Sequence, residues 1–358
     1  MHGRISLTAA MALASAVFVA PAAAHETASV DARIDQALAN APAGRFVQIK
    51  TLGPTRRAAD GLLEIRLPDG EIVETHGPDP EPPAKVAAAD AAAALPERGL
   101  TCAGLPRLQV LYVHPSDRPN RFSKSMYQRI RTYMRQMSYR LNADALTSSQ
   151  GRIGADYRVR CKSSGKIDIR ALETRTTAAQ DDWSVIQQDL KRAGYDSPEG
   201  KYLIWYDDPI EGKCGIGNIR NDDRKSTKNE NNAGPRYALV YGNAGRKTCW
   251  SWRVGMHENG HNMGAVQPAA PRSSGDRWHC NDGWDVMCYA DGGDRSNYST
   301  SRCGFRVFDC GKDTYFDTLT ESGEWLRDHW NLGWSGNRFL DFPRAEAENR
   351  RAEATPSR

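Results

Sequence analysis

Between residues 25 and 100 hydrophobic positions are short-range and interrupted; beyond them they become long and regular. Residues 108–113 (Leu-Gln-Val-Leu-Tyr-Val) form a near-continuous apolar run, which suits a strand buried on both faces. In residues 124–141, Met126, Ile130, Met134 and Met137 recur on one face of a helix, and that spacing assigns the methionines to a core. Strands are predicted at residues 157–161, 167–172, 202–206 and 237–241, with a helix over 181–192. Residues 213–232 are polar and glycine-containing, a loop with an edge strand at 216–219. Phe316, Leu319, Trp325, Leu326, Trp330 and Trp334 predict a closing helix over 315–334, in which His329 reads as a packed residue. This order predicts an α+β domain over residues 101–342, a twisted mixed sheet with helices packed on it.

Residues 25–76 predict a short helix at 29–41 and alternating segments at 45–51 and 62–75, the second turning at Pro68-Asp69-Gly70. Residues 77–100 are rich in proline and alanine and read as a linker. Two roles stand open for 25–76: a pro-segment removed on activation, or an accessory module. Residues 343–358 form a charged tail. At the other end, Arg4, an apolar run over 5–19 and Pro21-Ala22-Ala23-Ala24 make the tripartite pattern of a secretory signal, cut after Ala24. An uncleaved anchor is the competing reading, disfavoured by the short apolar run. The protein is therefore expected to be secreted or periplasmic.

Composition narrows the function. The 358 residues carry 48 basic and 44 acidic side chains, a formal charge of +4. That balance gives no reason to expect nucleic acid, or a membrane once the signal is removed, as partner. Eight cysteines on an exported chain argue for disulfides, with connectivity and oligomeric state left open.

Chemistry concentrates in Trp252-Arg253-Val254-Gly255-Met256-His257-Glu258-Asn259-Gly260-His261-Asn262-Met263-Gly264. On a helix, His257 and His261 leave the same face with Cβ atoms about 6 Å apart. Two imidazoles so placed can share one ion, and zinc accepts neutral nitrogen while keeping a position for water. Glu258 follows the first imidazole and is placed to take a proton from that water. Gly260 and Gly264 are poor helix formers, unexpected in a purely structural helix; Gly264 can end it and turn the chain toward a third ligand.

The pattern His257-Glu258-x-x-His261-x-x-Gly264, followed by Asp285-Val286-Met287-Cys288-Tyr289, resembles the metzincin zinc peptidases. The resemblance implies a metzincin-like catalytic domain with a zinc-motif helix and a methionine turn beneath the metal, Met287 here. It also implies that Tyr289 approaches the metal as a second catalytic residue beside Glu258. One position departs from the pattern: Gln267 stands where a third histidine or an aspartate is usual, and a neutral amide is a weak zinc ligand. His279, eight residues before Met287 as in short-looped members of the clan, is the favoured metal ligand with His257 and His261. Gln267 and Asp282 are its competitors. Cys280 and Cys288 flank this stretch, so disulfides would hold a loop-rich C-terminal subdomain there. Asp282, Asp285, Asp291 and Asp294 offer a secondary calcium cluster, although their spacing departs from the helix-loop-helix calcium pattern.

These readings converge on a secreted zinc metalloendopeptidase acting on protein or peptide substrates. Two alternatives remain: a non-catalytic, zinc-stabilised exported binding module, and a zinc hydrolase of other amides. Glu258 weighs against the former, since a structural zinc site has no use for it.

Overall fold

Four strands buried on both faces set the architecture. The computed structural model describes residues 45–49, 53–57, 63–66, 72–76, 100–209, 214–242, 249–275, 278–288 and 307–344, with Leu38, Ser299 and Cys303. Strands β1 (Val47–Ile49), β2 (Gly53–Arg57), β3 (Leu63–Arg66), β4 (Ile72–His76), β5 (Leu100–Thr101), β6 (Leu108–His114), β7 (Asp156–Arg158), β8 (Ile169–Glu173), β9 (Lys201–Tyr206), β10 (Gly215–Gly217), β11 (Arg236–Tyr241) and β12 (Leu340–Asp341) alternate with four helices. These are α1 (Lys124–Ser148), α2 (Trp183–Arg192), α3 (Trp252–Met263) and the single turn α4 (Trp325–Asp328).

The main sheet has nine strands in the order β1-β2-β3-β4-β10-β11-β9-β6-β8. β11, β9, β6 and β8 run parallel, while β10 is antiparallel to β11. A three-stranded sheet, β12-β7-β5, lies apart. Successive side chains of a strand serve opposite layers. Val110, Tyr112, Leu203, Trp205, Ala238 and Val240 join α1 and α3 in one core cluster. Leu111, Val113, Ile204, Tyr206, Leu239 and Tyr241 join Trp183, Ile186 and Leu190 of α2 in the other. The methionines of α1 are all buried in the first cluster.

The expected mixed sheet is thus present, with helices on both faces. The expected helix over 315–334 is corrected to α4 alone. There the Asp309 carboxylate accepts the backbone N–H groups of Thr314, Tyr315 and Phe316, and Asn331 bonds the backbone of Asp317 in both directions. Side chains thus take the backbone bonds a helix would use, and Tyr315, Phe316 and Trp330 are buried from irregular backbone. β2 was not expected; it begins at Gly53-Pro54, and Pro54 is tolerated opposite Gln48 near the sheet's end. The predicted helix at 29–41, except Leu38, and the turn at 68–70 lie outside the described residues, as do 1–24, 77–99 and 345–358.

All eight cysteines pair, as Cys102–Cys161, Cys214–Cys249, Cys280–Cys288 and Cys303–Cys310. Cys214–Cys249 joins the lead-in of β10 to that of α3. Among the described residues no helix is long and apolar enough to cross a membrane.

Candidate metal centre

Every residue of α3 is buried, so both its ends need partners inside the protein. At the start, Ser251 Oγ accepts from Val254 N at 3.1 Å. Trp250, just before, donates its indole N–H to the carbonyls of Tyr206 and Val240 at 3.2 Å, anchoring the helix start to the ends of β9 and β11. At the far end Gly264 adopts φ 87°, and its N–H donates to His261 O at 2.8 Å. That left-handed turn needs a residue without Cβ strain. The last carbonyls are also capped: Trp330 Nε1 donates to Met263 O at 2.8 Å, and Lys201 Nζ donates to Asn262 O and Ala233 O. Lys201 is fully buried, and burial holds its amine well below the ordinary lysine range.

This helix brings His257, Glu258 and His261 into the interior; His257 and Glu258 are each 0% exposed. His257 Nε2 and His261 Nε2 stand 3.0 Å apart. His257 Nδ1 donates to Val286 O at 2.7 Å. A carbonyl can only accept, so Nδ1 holds the hydrogen and the neutral ring keeps a lone pair on Nε2.

His279 comes from a separate segment. Its ring centroid lies 5.2 Å from that of His257 and 5.3 Å from that of His261. One ligand nitrogen from each of the three imidazoles lies within 4.8 Å of the other two. A tetrahedral zinc with nitrogens at about 2.0–2.1 Å needs them about 3.3 Å apart, a separation these rings can meet. The donor set therefore fits zinc. His279 is held by the Ser274 N–H and Oγ, which donate to its carbonyl at 2.9 and 3.1 Å. The Cys280–Cys288 disulfide then closes a loop of separation 8, with His279 immediately before its start and Val286 and Met287 at its end. The third imidazole, at the foot of this small loop, and the carbonyl that orients the first, within it, thus come from one short segment. Met287 lies under the helix, since a Cβ on Gly260 would fall 2.6 Å from its Sδ.

The competing third positions are differently engaged. Gln267 Oε1 accepts from Asp222 N at 2.9 Å, while its Nε2 donates to Arg220 O and Gly264 O at 3.1 and 3.0 Å. Asp282 lies with its carboxylate 4.0 Å from Arg272 Nε and is not part of the imidazole group. Cys280, Asp285 and Cys288 also cluster, but both sulfurs are bonded to each other. Asp285 accepts from Met287 N, Cys310 N and Tyr315 Oη at 2.7, 2.8 and 2.6 Å, which leaves the calcium reading without this carboxylate. Asp291, Asp294 and Tyr289 lie outside the described residues.

Several supporting groups carried no signal in the sequence. Arg253 donates to the carbonyls of Trp284 and Asp285 at 3.1 and 2.7 Å, tying α3 to the loop before Met287. Val286 O, Lys201 and Trp330 act through backbone atoms or across long sequence distances, which spacing does not reveal. Nearby, burial raises the Asp285 carboxyl to about 6 and the Asp144 carboxyl to about 7.

No protein-family profile and no curated protein matches this chain. Among solved structures, it is similar to wild-type OgpA from Akkermansia muciniphila, at 15% identity and a TM-score of 0.29 over 47% of this chain and 52% of that one. Catalytically inactive OgpA in complex with an O-glycopeptide substrate, glycodrosocin, gives 14% identity and a TM-score of 0.28, over 48% and 52%. Metalloproteinase-II from Bacteroides fragilis gives 12% identity and a TM-score of 0.25, over 66% and 70%. The chain thus spans about half the length of OgpA.

Proposed function

We propose that the protein is an exported zinc-dependent endopeptidase of the metzincin kind, with His257, His261 and His279 holding the metal and Glu258 as general base. The observation that carries this reading is the convergence of three buried imidazoles, with ligand nitrogens within 4.8 Å, beside a buried carboxylate. A structural zinc site closes with four protein ligands, whereas three imidazoles and an acid suit one that keeps a position for reaction. Zinc bound there would supply Lewis acidity to a water and to a peptide carbonyl.

The remaining work falls to the chain. Val286 O fixes the His257 tautomer, so that a nitrogen lone pair is directed at the site without reorganisation. Glu258 takes a proton on a carboxylate oxygen as the water oxygen bonds to the carbonyl carbon. It then delivers that proton to the amine nitrogen as the C–N bond breaks. Tyr289, two residues after Met287, is assigned to stabilise the developing oxyanion by donating from its hydroxyl.

Peptide hydrolysis by wild type and Glu258→Gln tests this reading, with zinc content measured on the same samples. The variant should retain the metal and lose about 10²–10⁴-fold in kcat/KM. Equal rates in the two proteins would remove the peptidase reading, and a protein that binds zinc but cleaves no peptide bond would be the binding module.

A further inference from the structure

The aromatic-rich stretch 315–334 frames a cavity of about 230 Å³. It opens between the turn after α1, the loop that carries Lys225 and the chain on either side of β12, and none of its lining residues belongs to the candidate metal centre.

Its wall holds a buried carboxylate. Asp317 is 4% exposed, and Ser148 Oγ and the Leu319 backbone N–H both donate to its Oδ1, the latter at 2.8 Å. Oδ2 accepts no hydrogen bond among the described residues, so that oxygen is left for the cavity. A buried carboxylate oxygen without a donor is costly, and a ligand that donates there offsets the cost.

A cation shares the space. Lys225 Nζ donates to Leu326 O and Arg327 O and lies 6.0 Å from the centre of the Trp334 ring. An ammonium carries three donors, so one N–H remains after the two carbonyls. Among the described residues Lys225 and Asp317 form no ion pair with each other, yet they feel each other's charge. Burial lowers the Lys225 amine from its ordinary value, and the Asp328 and Asp317 carboxylates oppose that shift. The exposed Arg344 adds a second cation, and Ile153, Trp334 and Phe342 supply apolar wall.

The lining thus offers one anion, two cations and an apolar surface. The space is smaller than the roughly 300–1,000 Å³ of pockets for drug-sized molecules, which suits a ligand of one residue rather than a chain. A neutral monosaccharide would leave the charges without counterparts, and the interior of a peptide has neither charged end. We infer that this cavity is a binding site for a free α-amino acid with an apolar side chain. Asp317 Oδ2 takes its ammonium, Lys225 and Arg344 its carboxylate, and Ile153, Trp334 and Phe342 its side chain. The inference concerns binding and stands apart from the peptidase reading.

Isothermal titration of the full chain with L-leucine tests it. The comparison probes are N-acetyl-L-leucine, which lacks the ammonium, L-leucinamide, which lacks the carboxylate, and galacturonate, an acidic sugar. L-Leucine should bind, with both blocked forms at least about tenfold weaker. Asp317→Asn keeps the Oδ1 acceptor but puts a donor in place of Oδ2. It should weaken L-leucine by a similar factor and leave N-acetyl-L-leucine as in wild type. Lys225→Met should weaken L-leucine and spare L-leucinamide. An amino acid can also coordinate zinc, so L-leucine affinity that Asp317→Asn leaves unchanged would place it at the metal and overturn the inference. Absence of L-leucine binding, or tighter binding of galacturonate, would overturn it as well. Should Asp317→Asn fail to fold, Lys225→Met and Arg344→Ala decide, and unchanged L-leucine affinity in both overturns it.

Discussion

Gln267 and His279 show what a residue's neighbours decide. Both stand after the helix, and only one reaches the paired histidines. Gln267 spends its amide on three backbone groups, Asp222 N, Arg220 O and Gly264 O, and so stitches the polar 218–232 loop to the end of α3. Gln267→Ala should cost about 1–3 kcal/mol, since it leaves buried backbone groups unpaired, while the bound metal per chain stays as in wild type. Urea unfolding and metal analysis of the same preparation check this; loss of metal with stability intact would return Gln267 to the ligand set. His257, Glu258 and His261 were legible because the spacing along one helix is a local property. For the third position the sequence favoured His279 and left Gln267 and Asp282 open, because the choice depends on backbone turns such as Trp278 at φ 66°. Backbone conformation of that kind leaves little trace in residue type.

At the scale of elements, β6, β9, β11, α1 and α2 could be read from sequence because each has a regular apolar pattern, and α3 from the spacing of its two histidines. Strands β6, β9 and β11 are apolar on both faces because both are covered, and that produces the continuous runs. The stretch 315–334 misled because aromatic spacing without regular backbone bonding imitates a helix. Asp309 and Asn331 organise it through side-chain bonds that no periodicity records. The glycines of α3 explain themselves only in the packed molecule. Gly260 admits Met287 against the helix, and its cost in helix propensity is offset by that close contact. Gly260→Ala should therefore destabilise by about 1–3 kcal/mol despite alanine's better propensity. A thermal melt checks the sign; a more stable variant would show that Met287 can move aside freely.

For the whole molecule, stability should carry a signature of its buried acids. Burial lifts Asp144 to about 7 and Asp285 to about 6, above the unfolded carboxyl value of 3.8. The folded protein therefore binds protons that the unfolded chain releases. Stability then falls as pH rises from about 4 to about 7, because these groups must charge inside the protein. Asp144→Asn stays neutral throughout, so its urea midpoint should fall less over that range than wild type's. Parallel curves for the two proteins would remove Asp144 from the account. The same burial sits next to the Cys280–Cys288 and Cys303–Cys310 disulfides, which cross-link this part of the chain. Cysteine count announced that framework; its pairing required the fold.

The central claim is that three imidazoles from two segments hold one divalent ion. It is tested most directly by metal analysis of chelator-free wild type and His279→Ala, each with a check of fold by circular dichroism. The account predicts about one zinc per wild-type chain, with the ion lost or strongly weakened in the folded variant. Folded wild type that binds no transition metal, or a His279→Ala protein that binds it as tightly as wild type, would contradict it.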